Sequence, residues 1–417
     1  MEPHRRRLIQ RCLIGAVVGF GVLQGVRPRL SSPAVTADLE APPRVKSLLA
    51  AACYDCHSNE TKLLWFDRVV PAYWLVARDV EAGRRHLNFS EIGKLPPAKQ
   101  RALLFESLNQ TELGAMPPRP YRLLHPSARL GAQDIATLRA YLAPDANAVP
   151  PATSPEKAAT AAAELTTWQS GAKQRPPVEP APNGMRFFDD YRSWRALSTT
   201  DRFDNATLRL ILANPVAEQA LPNRGSDPWP DGSAFAKLAW ARVVDSEGKV
   251  SAGQFKQIEF MLKDRKTYAD THGWGFARWL GPRLVPYGKD AGFVNECVGC
   301  HEPMRENDYV FTIPVEQPEV PRDFGVLTTS LDLRSGTMST LYGNELARTH
   351  ALGDGQARYP VGAKLLELSW KQREDPHWFG ARIPGAPRAR VAVSVDTTNS
   401  SSDELPSARR ASLSLLP

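Results

Sequence analysis

Residues Val294 to Thr312 read VNECVGCHEPMRENDYVFT. At their centre Cys297, Cys300 and His301 form C-x-x-C-H, the spacing of covalent c-type haem attachment. Two thiols three positions apart can each form a thioether to one porphyrin vinyl group. The adjacent imidazole then lies under the ring and ligates the iron. The same pattern recurs at Cys53, Cys56 and His57, in AACYDCHSNE. A zinc site would need further thiols or a C-x-x-C partner, and the remaining cysteine, Cys12, lies in an apolar N-terminal run. A thioredoxin-like redox pair would not require the following histidine. Two copies in one chain therefore predict two c-type haems.

A chain of 417 residues exceeds one typical core, and its 36 prolines imply linkers between domains. The net charge of +7 includes Arg5, Arg6, Arg7 and Arg11 crowded at the start and Arg409 and Arg410 near the end. No basic stripe with interleaved aromatics is present, so no nucleic-acid partner is expected. MEPHRRR, followed by the uncharged apolar run Cys12 to Val26, marks residues 1–30 as a signal peptide or an N-terminal membrane anchor. The run is shorter than the roughly 20 residues of a full span. The small-residue cleavage site Val35-Thr-Ala37, however, lies beyond Arg27 and Arg29, which favours the uncleaved anchor. Thioether attachment to haem takes place outside the bacterial cytoplasm, so the expected location is periplasmic, with Met1 to Arg11 left inside.

Residues 41–143 read as a small all-α haem module. Short helices are expected at Val45–Cys53, Trp74–His86, Pro97–Leu108 and Gln133–Leu142, from apolar residues at helical spacing and prolines at opening turns. Three residues compete as second axial ligand beside His57. Met116 lies in the proline-flanked loop Gly114-Ala-Met-Pro-Pro118, a setting that suits a thioether donor, while His86 and His125 are the rivals. The segments CYDCHSNET, PAYWLVARDVEAGRRHLNFSE and MPPRPYRLLHPSARL resemble the small haem-binding domain of bacterial periplasmic cytochromes. The likeness departs where Leu64-Trp65-Phe66 stands in place of a Trp-Pro-Trp-like segment.

Residues 144–184 are alanine- and proline-rich, with one helix-permissive piece at Pro155–Trp168, and read as a spacer. Residues 185–320 change texture. Ala206–Leu212, Ala234–Val244, Gln254–Leu262 and Trp274–Trp279 are strand-like runs between turns such as Asp231-Gly232, and alternation puts Trp274, Phe276 and Arg278 on one face. This implies a mainly antiparallel β-domain. DRFDNATLRLILAN, WPDGSAFAKLAW, QIEFMLKDRKTYADTHGWGFARW and ECVGCHEPMRENDYVFT resemble the cytochrome P-460 family and its relative cytochrome c′-beta. The resemblance implies a five-coordinate haem with His301 proximal and, at Lys237, a lysine cross-linked to the porphyrin. It also implies oxidation of hydroxylamine or, in the c′-type relatives, binding of nitric oxide or carbon monoxide. Read from the residues alone, Lys237 is equally an edge-strand or rim lysine, on the face of Phe235 and Ala239 with its ammonium in water. Glu259 and Asp264 are nominated as proton acceptors for a bound nitrogen substrate.

Displacing the sequence so that Thr207 meets Thr337 brings nine identities into register over 39 positions, among them Asn214/Asn344, Gly225/Gly355, Gly232/Gly362 and Trp240/Trp370. Residues 325–394 therefore read as a half-repeat. The copy carries no cysteine and puts Glu367 opposite Lys237, so it is expected to be haem-less and to pack against the haem-bearing half as a pseudo-dimer. Residues 395–417 are Ser-rich, charged and expected to be disordered. The expected fold class is a multidomain α + β chain: an all-α cytochrome-c-like domain, a mainly antiparallel β P-460-like domain and a haem-less β half-repeat. The expected function is that of an exported di-haem cytochrome. It would oxidise hydroxylamine or a related species at the second haem and pass electrons through the first to a soluble or membrane acceptor. A gas-binding module and a pure electron carrier are the alternatives.

Overall fold

The computed structural model describes residues 3–144, 148–171, 176–223, 228–315, 320–351 and 359–395. The tail expected to be disordered and the Gly225/Gly355 pair fall outside them. The chain forms two units, Met1–Pro144 and Asp145–Pro417.

The first unit is helical: α1 (Pro3–Leu23), α2 (Pro43–Ala52), α3 (Tyr54–His57), α4 (Ala72–His86), α5 (Pro97–Glu112), α6 (Arg119–Leu124) and α7 (Ala132–Leu142). Prolines open α2 and α5, where the missing N–H removes no helical bond. Val45, Leu49, Val80, Phe105, Leu108 and Leu138 form its apolar interior. Gly83 lets α4 cross the haem-motif helix closely, since a Cβ there would stand 2.7 Å from the Cys56 carbonyl oxygen. The module begins earlier than residue 41. Gln24 exchanges hydrogen bonds with both backbone groups of Val70, and Trp74 Nε1 donates to the Val26 carbonyl at 2.7 Å. Leu39 is buried, and Thr36 and Ala37 donate to the Ser90 carbonyl. Among the described residues no helix, α1 included, is long and apolar enough to cross a membrane.

The second unit is built on a ten-stranded antiparallel sheet ordered β3-β2-β1-β10-β9-β8-β7-β4-β5-β6, and a β3–β4 pairing closes all but β5 and β6 into a barrel. The strands are β1 (Arg195–Arg202), β2 (Thr207–Ala213), β3 (Ala234–Val244), β4 (Lys249–Lys263), β5 (Trp274–Leu280), β6 (Val285–Pro286), β7 (Gly325–Asp332), β8 (Thr337–Gly343), β9 (Lys364–Asp375) and β10 (Trp378–Ser394). Helices α8 (Pro155–Gly171), α9 (Pro215–Ala220), α10 (Val294–His301) and α11 (Glu345–Ala351) surround it.

Alternation along the strands sends Leu210, Leu238, Trp240 and Phe260 into one core together with Tyr342, Leu366, Leu368 and Trp370. The opposite faces of the two halves carry separate clusters, around Ile211, Ala217 and Phe235 in one and Leu341, Ala347 and Leu365 in the other. The halves repeat one another in detail. Asn214 accepts from the N–H groups of Ala217 and Ala234 and donates to the Gly232 carbonyl. Asn344 does the same with Ala347, Lys364 and Gly362. Gly232 and Gly362 take φ of 90° and 91°, in the left-handed region open to glycine.

The halves meet where β1 pairs with β10 and β4 with β7. Asp201, fully buried on β1, lies 3.0 Å from Arg382 on β10 and 3.3 Å from Arg242 on β3. Part of the stretch read as a spacer is structural instead. Trp168 of α8 is fully buried and stacks on Phe255 with ring centroids 3.6 Å apart, and Trp279 Nε1 donates to the Glu179 carbonyl. The reason is hydrophobic: α8 offers Leu165 and Trp168 to the sheet at one-turn spacing.

Candidate haem sites

The first haem motif lies on the four-residue helix α3. Burial pushes the Cys53 thiol up to about 12 and the Cys56 thiol to about 11. No cysteine is in a disulfide. His57 Nδ1 lies 3.1 Å from the Leu87 carbonyl oxygen. A carbonyl only accepts, so Nδ1 carries the proton and Nε2 keeps the lone pair that an iron requires. Burial lowers the His57 pKa, which keeps the ring neutral. Cys53 opens on a small apolar cleft lined by Val45, Leu49, Leu104, Leu108, Leu138 and Leu142.

The three rivals for a second ligand are spread apart in kind. His125 is buried, with Nδ1 3.1 Å from the Tyr121 carbonyl, Nε2 3.3 Å from Asp67 and its ring stacked on Tyr121. Both of its nitrogens are engaged, so it is a structural histidine. His86 is on the surface, 3.3 Å from Glu106. Met116 is 40 % exposed on its loop, held by an N–H bond to the Gln110 carbonyl.

The second motif lies on α10 against the outer face of β2–β5, with Cys297 and Val298 packed on the cluster of Ile211, Phe235, Trp274 and Phe276. His301 Nδ1 donates to the Tyr309 carbonyl at 2.6 Å, which again leaves Nε2 with its lone pair. Burial pushes His301 down to about 4, so the ring is neutral at ordinary pH. Phe276 and Phe311 flank it, at 5.2 and 5.1 Å between ring centroids.

Strand register sets Ile211, Lys237, Glu259 and Arg278 in one row across four strands beside this motif. Lys237 lies in a strand paired on both sides, not on an edge, and its side chain is 32 % exposed. Its ammonium contacts Glu259, which also receives Arg278 at 2.8 Å and Gln257 at 2.6 Å. Burial lowers the Lys237 pKa, partly offset by Glu259. Burial alone would raise Glu259, but Lys237 and Arg278 hold its carboxyl well below the usual carboxylate range. The same charges act on the motif: Lys237 lowers and Glu259 raises the His301 pKa.

Asp264 does not join this row. It caps its own turn, accepting from Thr267 Oγ1 at 2.6 Å and from the N–H groups of Lys266 and Thr267. Sequence reasoning missed the contribution of the half-repeat. At the β9–β10 turn His377 donates to the Phe311 carbonyl at 2.9 Å, and Trp378 packs edge-on against Phe311, 5.9 Å away. Trp378 in turn carries the Arg202 guanidinium 4.2 Å above its ring and donates to Asp204. No local signal marks these residues, because their partners lie far away in sequence.

The donor sets fit haem: paired thiols, a neutral imidazole with an available Nε2, and apolar walls. Comparison with protein families agrees. Residues 15–144 match the model of a haem-binding domain, and residues 188–312 match that of cytochrome P460. A comparison with curated proteins gave no match. The chain is thus a haem cytochrome, a helical haem-binding domain followed by a cytochrome P460 domain within a β-barrel unit.

Proposed function

We propose that the chain carries two c-type haems, one attached at Cys53 and Cys56 with His57 axial and one at Cys297 and Cys300 with His301 axial. The first passes electrons, with Met116 as its second ligand, and the second reacts with hydroxylamine or a related small nitrogen compound. The observation that carries this division is the row of Lys237, Glu259 and Arg278 beside the second motif, which offers charge and one carboxylate rather than a sulfur or imidazole donor.

A haem held at Cys297, Cys300 and His301 would supply ligand binding and electron removal. The residues supply the rest. Phe276 and Phe311 fix the His301 ring, and the Tyr309 carbonyl fixes its tautomer. Lys237, its amine favoured toward the neutral form by burial, is the cross-link candidate. Glu259 in its ion pairs is a weak base. Were Lys237 to lose its proton, Glu259 would be freed from one of the three cations that hold it low, the others being Arg278 and Arg209. Its pKa would then rise toward the range of a general base.

A second reading, a nitric oxide-binding module without cross-link, is favoured by the contact between Lys237 and Glu259, which occupies the amine. The reduced spectrum separates them. The enzyme shows a strongly red-shifted Soret band that Lys237→Met abolishes with haem still attached. An ordinary five-coordinate spectrum, unchanged by Lys237→Met, selects the gas binder, and low-spin bands alone select a pure carrier. We place the chain in the periplasm, with Pro3–Leu23 as export signal or retained anchor, and its electron acceptor is a soluble or membrane protein. The half-repeat takes the place of a second subunit. A solution mass of one chain at micromolar concentration supports that arrangement, and a dimer removes it.

A further inference from the structure

We propose that Asp308 is a positioning residue for the proximal side of the second haem, acting on His301 through the backbone of its own turn. The inference rests on His301 being the axial ligand. Asp308 and Tyr309 both take left-handed backbone conformations, at φ 47° and 66°. Asp tolerates that region, but a bulky Tyr seldom adopts it. Contacts from outside the turn must therefore hold it.

The Asp308 carboxylate provides them. Oδ1 accepts from Lys263 Nζ at 2.7 Å and from Trp274 Nε1 at 3.3 Å, and Oδ2 accepts from the Trp229 N–H at 2.8 Å. Lys263 ends β4, Trp274 begins β5 and Trp229 lies in the loop before β3, so one carboxylate ties the turn to two strand ends and a loop. Lys263 is 3 % exposed and lies 4.8 Å from the Trp274 ring, which gives the ion pair a dry, rigid setting. The Tyr309 ring stacks on His272 with centroids 4.8 Å apart, fixing the other side of the turn.

The consequence is the 2.6 Å hydrogen bond from His301 Nδ1 to the Tyr309 carbonyl. An acceptor on Nδ1 orients an axial imidazole and raises its basicity. At the first motif the corresponding carbonyl belongs to Leu87, which ends α4, at the longer 3.1 Å. The two proximal histidines are thus supported differently, one by a helix end and one by a turn held through a carboxylate.

The test uses the full-length haem-loaded protein and Asp308→Asn, which keeps size and left-handed tolerance but loses the charge that Lys263 needs. The expected result is a drop in the ferrous iron–histidine stretching frequency and a rise in the midpoint potential of the second haem. The cyanide affinity of its ferric form should change roughly tenfold, with the first haem unchanged. Should that variant fold poorly, the charge-neutral pair Lys263→Met with Asp308→Asn is measured on its haem-loaded fraction and gives the same shifts. Full haem content with unchanged stretching band, potential and cyanide affinity overturns the proposal. A failure of the underlying reading shows separately, as a wild-type stretching band that survives His301→Ala.

Discussion

The two C-x-x-C-H helices share a motif and little else. In the first unit α3 lies among helices beside an apolar cleft, lined mostly by leucines and by no charged side chain. In the second, α10 lies on a sheet whose register delivers an alternating row of cation, anion and cation. The thiols and imidazole state only where a porphyrin is tied. What its iron can do is decided by residues contributed from strands or helices elsewhere, and charge beside an iron is a different instrument from grease beside an iron.

The widest break in the comparison comes from removing the thiols. Cys297→Ala with Cys300→Ala is expected to halve the haem content by pyridine haemochrome and to abolish cyanide binding. Cys53→Ala with Cys56→Ala is expected to halve the haem and leave cyanide binding intact. Met116→Ala should convert the first haem from low to high spin, and an unchanged low-spin spectrum would remove Met116 as its ligand.

Stability should separate the units next. Asp201→Ala leaves Arg242 and Arg382 buried without their carboxylate, at a cost of about 3–5 kcal/mol, read as an earlier urea transition of the β unit. Glu91→Ala removes the exposed Lys94 pair of the helical unit and should change its transition by less than about 1 kcal/mol.

A smaller effect concerns pH. Glu259 has a folded pKa below its unfolded value, so its contribution is present above the ordinary carboxylate value of about 4.3 and is lost as pH falls through the depressed value. The β unit should weaken in acid with a slope that Glu259→Gln flattens, in urea titrations taken downward from pH 5. The smallest change is expected of His86→Ala, which removes a surface contact with Glu106 and should leave both haem spectra as they were.

Much of this was legible in the chain itself. The haem motifs are local chemistry, and β2 to β5 announce themselves by alternation, which also put Arg278 on the face of Phe276. Strand β1 was not legible. Its RALSTTDR carries charge where a strand core is expected, and Asp201 is tolerable inside because Arg242 and Arg382, the latter 181 residues away, come to meet it. Helix α8 looked like spacer because alanine carries no periodicity. Trp168 acquires meaning only with Phe255 opposite it. The Asp308 turn was equally hidden, since its three donors come from separate segments.

The covalent join between the two barrel halves has an evolutionary side. In a pair of identical subunits every substitution appears twice, so a face that gives up its iron gives it up on both sides. Here Asn214 and Asn344 keep the same scaffold bonds while Lys237 and Glu367 have parted ways. One half is free to specialise in chemistry and the other in architecture, and extreme dilution cannot separate them.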